Sequence, residues 1–144
     1  SVKIYCEHET QLFDMKCPCH SQLDYEKCCE PIHEGKKNPD KPVMLMRARY
    51  SAYALGITQF IIETTHPLSP HYQKETSLWQ EELVEFHKNC RFANLEIVDE
   101  IDGFPFAYVT FVATIYQGKE DLSFQEKSRF QFDKGRWYYL DANS

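Results

Sequence analysis

The 144-residue chain is long enough for one ordinary domain, or for a domain with a small module attached. Hydrophobic residues make up 42% and charged residues 26%, a balance that excludes disordered, collagenous and coiled-coil classes. The formal net charge of −6 argues against a general phosphate-backbone binder, and no apolar run approaches the ~20 residues that cross a bilayer.

The organisation changes near residue 35. Residues 1–35 carry five of the six cysteines and three lysines against seven acids, or −4. The first residues, SVKIYCEHE, lack the basic flank and apolar stretch of a secretory signal, so the expected compartment is the reducing cytoplasm. Residues 36–42, rich in lysine and proline, read as a linker, and residues 43–144 as a compact domain that should fold without residues 1–41.

Pro42 suits a first helical turn and Gly56 the residue just past a helix end. Between them Val43, Met46, Tyr50 and Tyr53 give one apolar stripe. Thr58 is placed to cap a short second helix carrying Phe60, Ile61 and Ile62, which stops before Pro67. Ser77-Leu78-Trp79-Gln80 has the pattern of a capping box for a third helix, whose face is Trp79, Leu83, Phe86 and Cys90. Beyond residue 90 the period falls from 3.6 to 2. Leu95, Ile97 and Ile101 share one strand face, and Asp102-Gly103 marks a turn. Phe106 to Tyr116 predicts a long strand burying Ala107, Val109, Phe111, Ala113 and Ile115, followed by strands over Leu122 to Phe132 and Trp137 to Asp141. Three helices and an antiparallel meander make an α+β layout, with a curved sheet wrapped around the helices and a cone-shaped interior.

The densest chemical signal is Cys17-Pro18-Cys19 followed, after eight residues, by Cys28-Cys29. Four thiolates in this span can surround one Zn²⁺ tetrahedrally, leaving no vacancy for water, which points to a structural rather than a catalytic ion. Ser21 and Asp24 can cap a helical turn over Leu23 to Lys27 that aims the second pair. Disulfides are the alternative, disfavoured by the adjacent pair and the reducing compartment. His20 and His33 are expected at the surface or behind the ligands, Cys90 as a buried thiol, and Cys6 as a free cysteine in an N-terminal extension, with Cys6 and His8 a faint second metal-site alternative.

The string Cys17-Pro18-Cys19-His20-Ser21 through Tyr25-Glu26-Lys27-Cys28-Cys29 resembles the SEC-C zinc motif, best known from the tail of the translocation ATPase SecA. Leu45-Met46-Arg47-Ala48-Arg49-Tyr50, Thr64-Thr65-His66-Pro67, Glu126-Lys127-Ser128-Arg129-Phe130 and Gly135-Arg136-Trp137-Tyr138-Tyr139-Leu140-Asp141 resemble the YchJ-like bacterial family. The resemblance covers about residues 17–141. It implies a zinc module joined to a nuclear-transport-factor-like (cystatin-like) domain, and no particular reaction. His20 stands where SEC-C motifs usually have glycine, and Gln22-Leu23-Asp24 replaces their usual Gly-Lys-Lys. The SecA module meets an acidic face of the chaperone SecB through basic residues; the acidic module here makes SecB a poor partner.

A second candidate site lies in the larger domain. Glu126 and Ser128 interrupt an otherwise apolar strand face that would line the cone, and Arg49, Tyr50, Tyr53, His66 and Asp141 are polar groups able to converge there. The expectation is that Glu126 pairs with Arg47 or Arg49, and Asp141 with another arginine, because buried charges are usually paired. No phosphate loop, nucleophile elbow or HExxH motif is present. The sequence therefore favours a zinc-stabilised interaction or accessory protein with protein partners, no nucleic acid and no membrane, and leans against an enzyme. A cone that binds a small molecule or catalyses a reaction is the alternative, to be recognised by Glu126 opening into a cavity of ~300 Å³ or more.

Overall fold

The computed structural model describes residues 15–143; Cys6 and His8 lie outside the described residues. The chain opens with the cysteine loop, closed by an antiparallel bridge between Lys16 and Asp24 whose side chains also meet at 3.0 Å. A 3₁₀ turn at Tyr25–Lys27 leads to the short helix α1 (Glu30–His33). Three longer helices follow: α2 (Pro42–Leu55), α3 (Thr58–Thr64) and α4 (Thr76–Asn89). The sheet comprises β1 (Arg91–Ile101), β2 (Phe106–Gln117), the two-residue β3 (Glu120–Asp121), β4 (Phe124–Asp133) and β5 (Arg136–Asn143). All pairings are antiparallel, in the order β1-β2-β4-β5, with β3 hanging on β2. No described helix is long and apolar enough to cross a membrane.

Helix α2 starts at Pro42, whose missing N–H costs nothing in a first turn. It ends at Gly56, which adopts the left-handed φ of 76°. A side chain there would also collide with the His87 ring, 2.7 Å from where its Cβ would stand, so this helix end admits only glycine. The expected single stripe on α2 proves too narrow. Leu45, Ala48, Ser51 and Ala52 are buried along with Met46 and Tyr50, because the sheet covers one side of the helix and the cysteine module another. The module and the larger domain thus share one continuous core, which includes Cys17, Cys19, Cys29 and Ile32 beside Phe60 and Phe130.

Two capping expectations are corrected. Thr58 is the first residue inside α3 rather than its cap, and the capping box of α4 does not form. Instead α4 begins at Thr76, and the Ser77 hydroxyl donates to the Glu75 carboxylate at 2.7 Å. Cys90 is only half-buried, at the end of that helix.

The inner face of β2 is as expected: Ala107, Val109, Phe111, Ala113 and Ile115 are each at most 4% exposed. Burying such a face against the helices, at about 1.5–3 kcal/mol for each large side chain, drives the helices onto the sheet. Elsewhere the strict period-two reading fails where the ladder shifts register. A shift between Ile97 and Asp99 leaves Val98 unpaired and turns Ile101 outward, 44% exposed. A second shift opposite Arg129/Phe130 passes over Leu140, pairing Phe130 with Tyr139 but Arg129 with Asp141. Tyr139 therefore faces inward with Phe130, while Asp141 joins Arg129 on the outer face.

Candidate functional sites: a cysteine cluster and a lined cavity

The first site is built by the loop and turn that precede α1. Its four cysteine sulfurs all lie within 4.8 Å of one another, and Cys17, Cys19 and Cys29 are buried. Cys19 Sγ and Cys28 Sγ are 3.6 Å apart, and Cys28 Sγ and Cys29 Sγ 3.9 Å. Thiolates this close repel by roughly 4 kcal/mol a pair at an effective dielectric of 20, so a tetrathiolate requires a cation. Without one the thiols divide the available protons: contacts with Cys17 and its neighbours push the Cys29 thiol far up, while contact with Cys17 holds Cys28 down to about 7. The cluster can hold one metal ion.

The surroundings aim the sulfurs. The Ser21 hydroxyl sits 3.2 Å from Cys28 Sγ and accepts from the Leu23 amide at 3.3 Å, so Ser21 braces the second cysteine pair rather than capping a helix. Arg47 reaches from α2 to donate to the Cys19 carbonyl at 2.9 Å. His33 is no ligand. Its Nε2–H donates to the Ala48 carbonyl at 2.8 Å, and its Nδ1 accepts from the Tyr25 hydroxyl at 2.8 Å, clamping the module to α2. His20, with Nε2 3.4 Å from the Phe92 carbonyl, packs edge-on against Tyr50. His20 and Gln22 both adopt left-handed φ, 63° and 73°. These are the positions where the sequence departs from the glycines of the SEC-C pattern, and the backbone explains why glycine suits them.

The second site is a cavity of about 460 Å³ between helices and sheet. Trp79, Leu83 and Phe86 of α4 form one wall, and Phe111, Ala113 and Ile115 of β2 another. Five of the seven candidate residues line it: Arg49, Tyr50, Tyr53, Glu126 and Ser128. The remaining two do not. His66 points away to Asp133, 2.9 Å from its Nε2, and its Nδ1 accepts from the Leu68 amide at 3.0 Å. Asp141 holds Arg129 with two hydrogen bonds, of 2.9 and 2.7 Å, on the outer face, where the Leu140 register shift places it.

The expected pairing of Glu126 is overturned. Among the described residues the ion pairs are Lys16–Asp24, Lys36–Glu34, His66–Asp133 and Arg129–Asp141, and Glu126 belongs to none of them. Its Oε2 instead accepts from the Ser128 hydroxyl at 2.6 Å. Arg47 is engaged at the cysteine loop, and Arg49 is held by neutral acceptors. Its Nη1 donates to the Thr64 hydroxyl at 2.8 Å, the Thr65 hydroxyl at 3.0 Å and the Ile61 carbonyl at 3.2 Å. Its guanidinium lies over the Tyr139 ring, 4.6 Å from the centroid. Burial pulls the Arg49 pKa down, opposed by Tyr53, Tyr139 and Glu126. Burial, with Glu126 adding to it, pushes the Tyr139 hydroxyl up, so it is a neutral donor. Tyr139, which the sequence reading does not single out, shares the inward face of Trp137 by simple alternation from the hairpin; the Leu140 bulge moves only the residues after it, Asp141 among them.

Comparison with known proteins agrees with this two-part build. Residues 41–142 match the model of the YchJ middle NTF2-like domain. The UPF0225 protein of Serratia proteamaculans (strain 568) is 36% identical over 130 residues, covering 88% of this chain and 81% of that protein. Two solved SEC-C motif containing proteins share the architecture. The solution structure from Rhodopseudomonas palustris superposes with a TM-score of 0.76 at 29% identity, covering 90% of this chain and 98% of that one. The crystal structure from Psychrobacter arcticus gives 0.75 at 28% identity, covering 90% and 83%. With a family match over most of its length and a cysteine cluster in the position of a SEC-C motif, the chain belongs to the YchJ-like family.

Proposed function

We propose that this is a small-molecule-binding protein whose working site is the cavity, braced by one structural Zn²⁺ in the cysteine cluster. The observation that carries the binding reading is Glu126: its carboxylate opens into a 460 Å³ cavity with no arginine upon it. A group arranged only for stability would be paired, since burial of a charge without a partner costs stability. The cavity also falls within the ~300–1,000 Å³ of small-molecule sites, mostly apolar with a few convergent polar groups. These features favour binding over the accessory role that the sequence alone suggested.

Zinc is supported by the donor set and its spacing. A tetrahedral ion with zinc–sulfur bonds of about 2.3 Å needs sulfurs about 3.8 Å apart, and the contacts of 3.6 and 3.9 Å bracket that value. Four sulfurs leave no open position for substrate, so the ion serves folding. The test combines elemental analysis with a thermal-shift screen of small apolar and aromatic molecules on the zinc-loaded chain. Support is about one zinc per chain and a saturable ligand that Ala113→Leu, which fills the cavity, no longer binds. A folded, reduced, metal-free protein would remove the zinc assignment, and a screen with no saturable ligand would remove the binding one.

A further inference from the structure

We infer that the cavity takes an uncharged, flat aromatic molecule carrying one donor–acceptor head of the carboxamide or lactam kind, held between Arg49 and Glu126. This rests on the binding reading above and specifies its ligand class.

The inner face of β4 gives the cavity a floor and a mouth. Along it Phe130 is 0% exposed, Ser128 1%, Glu126 half-buried and Phe124 42%. Arg49 lies with the floor residues, 7% exposed and held by Thr64 and Thr65. Its Nη1 donates to Thr64, Thr65 and the Ile61 carbonyl, the Tyr53 hydroxyl is a further partner of the guanidinium, and no buried polar side-chain atom among the described residues lacks a partner. The guanidinium lines the cavity, and the Tyr53 and Tyr139 hydroxyls that line it beside Arg49 add polar groups able to donate.

Acceptor capacity comes from the opposite sign. Ser128 occupies Oε2 of Glu126, which leaves Oε1 for a donor from the ligand. Where the head group sits, the Arg49 guanidinium and the Glu126 carboxylate oppose each other, with Glu82 lying out at the exposed rim. An anionic ligand would satisfy Arg49 but face Glu126, with Glu82 adding a second negative group at the exposed rim. A cationic ligand would satisfy Glu126 but face Arg49. A neutral head that accepts on one side and donates on the other meets both, without the cost of desolvating a charge. The body of the ligand follows from the walls. Trp79, Phe86, Phe92 and Phe111 offer aromatic faces and edges, which favour a flat aromatic partner over a branched aliphatic one.

Three probes of one shape separate the head groups: 2-naphthamide, 2-naphthoate and 2-naphthamidinium, titrated calorimetrically at neutral pH into the full zinc-loaded chain. The amide should bind about tenfold or more tighter than either ion, since a site built for specific hydrogen bonds rejects a head that leaves them unmet. Glu126→Gln should narrow the gap between naphthoate and the amide by about tenfold, as the repelling carboxylate is gone. An ion that binds as tightly as the amide to the parent protein overturns the head-group assignment and leaves the cavity a binding site. If none of the three binds while the broader screen yields a ligand, the aromatic class is wrong. If the screen is empty as well, the binding reading itself falls.

Discussion

Arg47 and Arg49 stand two residues apart on one helix and serve two regions built on opposite rules. Arg47 reaches the cysteine module and donates to the Cys19 carbonyl, in a loop where Ser21, Tyr25 and His33 also have partners within the protein. Arg49 reaches the cavity, where Thr64, Thr65 and Tyr53 hold its guanidinium while one oxygen of Glu126 has no partner among the described residues. On the proposed reading the module is completed by its own residues and an ion, and the cavity by a ligand. Closed polar accounting marks a structural element, and open accounting inside a dry wall marks a site.

The largest effect should come from breaking the closed region. Cys28→Ser removes one of four sulfurs and with it several of the roughly 10–16 kcal/mol that a structural zinc contributes to small modules. Zinc content should fall well below one per chain and the melting temperature should drop sharply; unchanged melting would show that the ion is not structural. Because module and domain share a core, a chain beginning at residue 42 should also suffer. It loses Ile32 from the core and the His33 and Tyr25 clamp on α2, and should melt lower by about 3–5 kcal/mol by denaturant titration. A truncated domain as stable as the parent would mean the two regions are independent after all.

A smaller effect follows from His33. Burial holds its imidazole below the ordinary value, outweighing the Ala48 carbonyl that pulls it up. The unfolded chain takes up this proton near pH 6.5 and the folded chain only at lower pH, so the unfolded state binds more protons in between. Stability should be complete above about pH 6.5 and be lost as the pH falls below it, by at most about 1.4 kcal/mol per pH unit. His33→Gln should flatten that slope in zinc-retaining samples; an unaltered slope would assign it to other groups. The smallest effect is at Gln22, exposed and left-handed at φ 73°. Gln22→Gly should stabilise by about 1 kcal/mol by relieving that backbone, measured by urea denaturation. A loss of stability would mean the Gln22 side chain makes an essential contact.

Much of this was legible in the sequence because it depends on spacing alone. The cysteine pairs announce a metal site by their separation, and the change of period after Cys90 announces helices followed by a meander. The inner face of β2 follows directly from alternation. What escaped was whatever depends on register or on the choice among partners. One passed-over residue, Leu140, moved Asp141 to the outer face, while Tyr139 kept the inward face of Trp137. The partners of Arg49 were equally hidden, since Thr64 and Thr65 neutralise nothing and carry no charge signal. Alternation can say that Glu126 faces inward, but only the folded arrangement says that no arginine meets it.

That absence is the point on which the comparison turns, and thermal melting of zinc-loaded Glu126→Gln beside the parent tests it most directly. A structural ion pair broken by this change would cost ~3 kcal/mol or more. A carboxylate in no ion pair gives none up when it is neutralised, so the account predicts melting at or above the parent temperature with zinc content unchanged. A Glu126→Gln protein that melts many degrees lower would contradict it, making Glu126 part of the scaffold and the cavity no more than a gap in the packing.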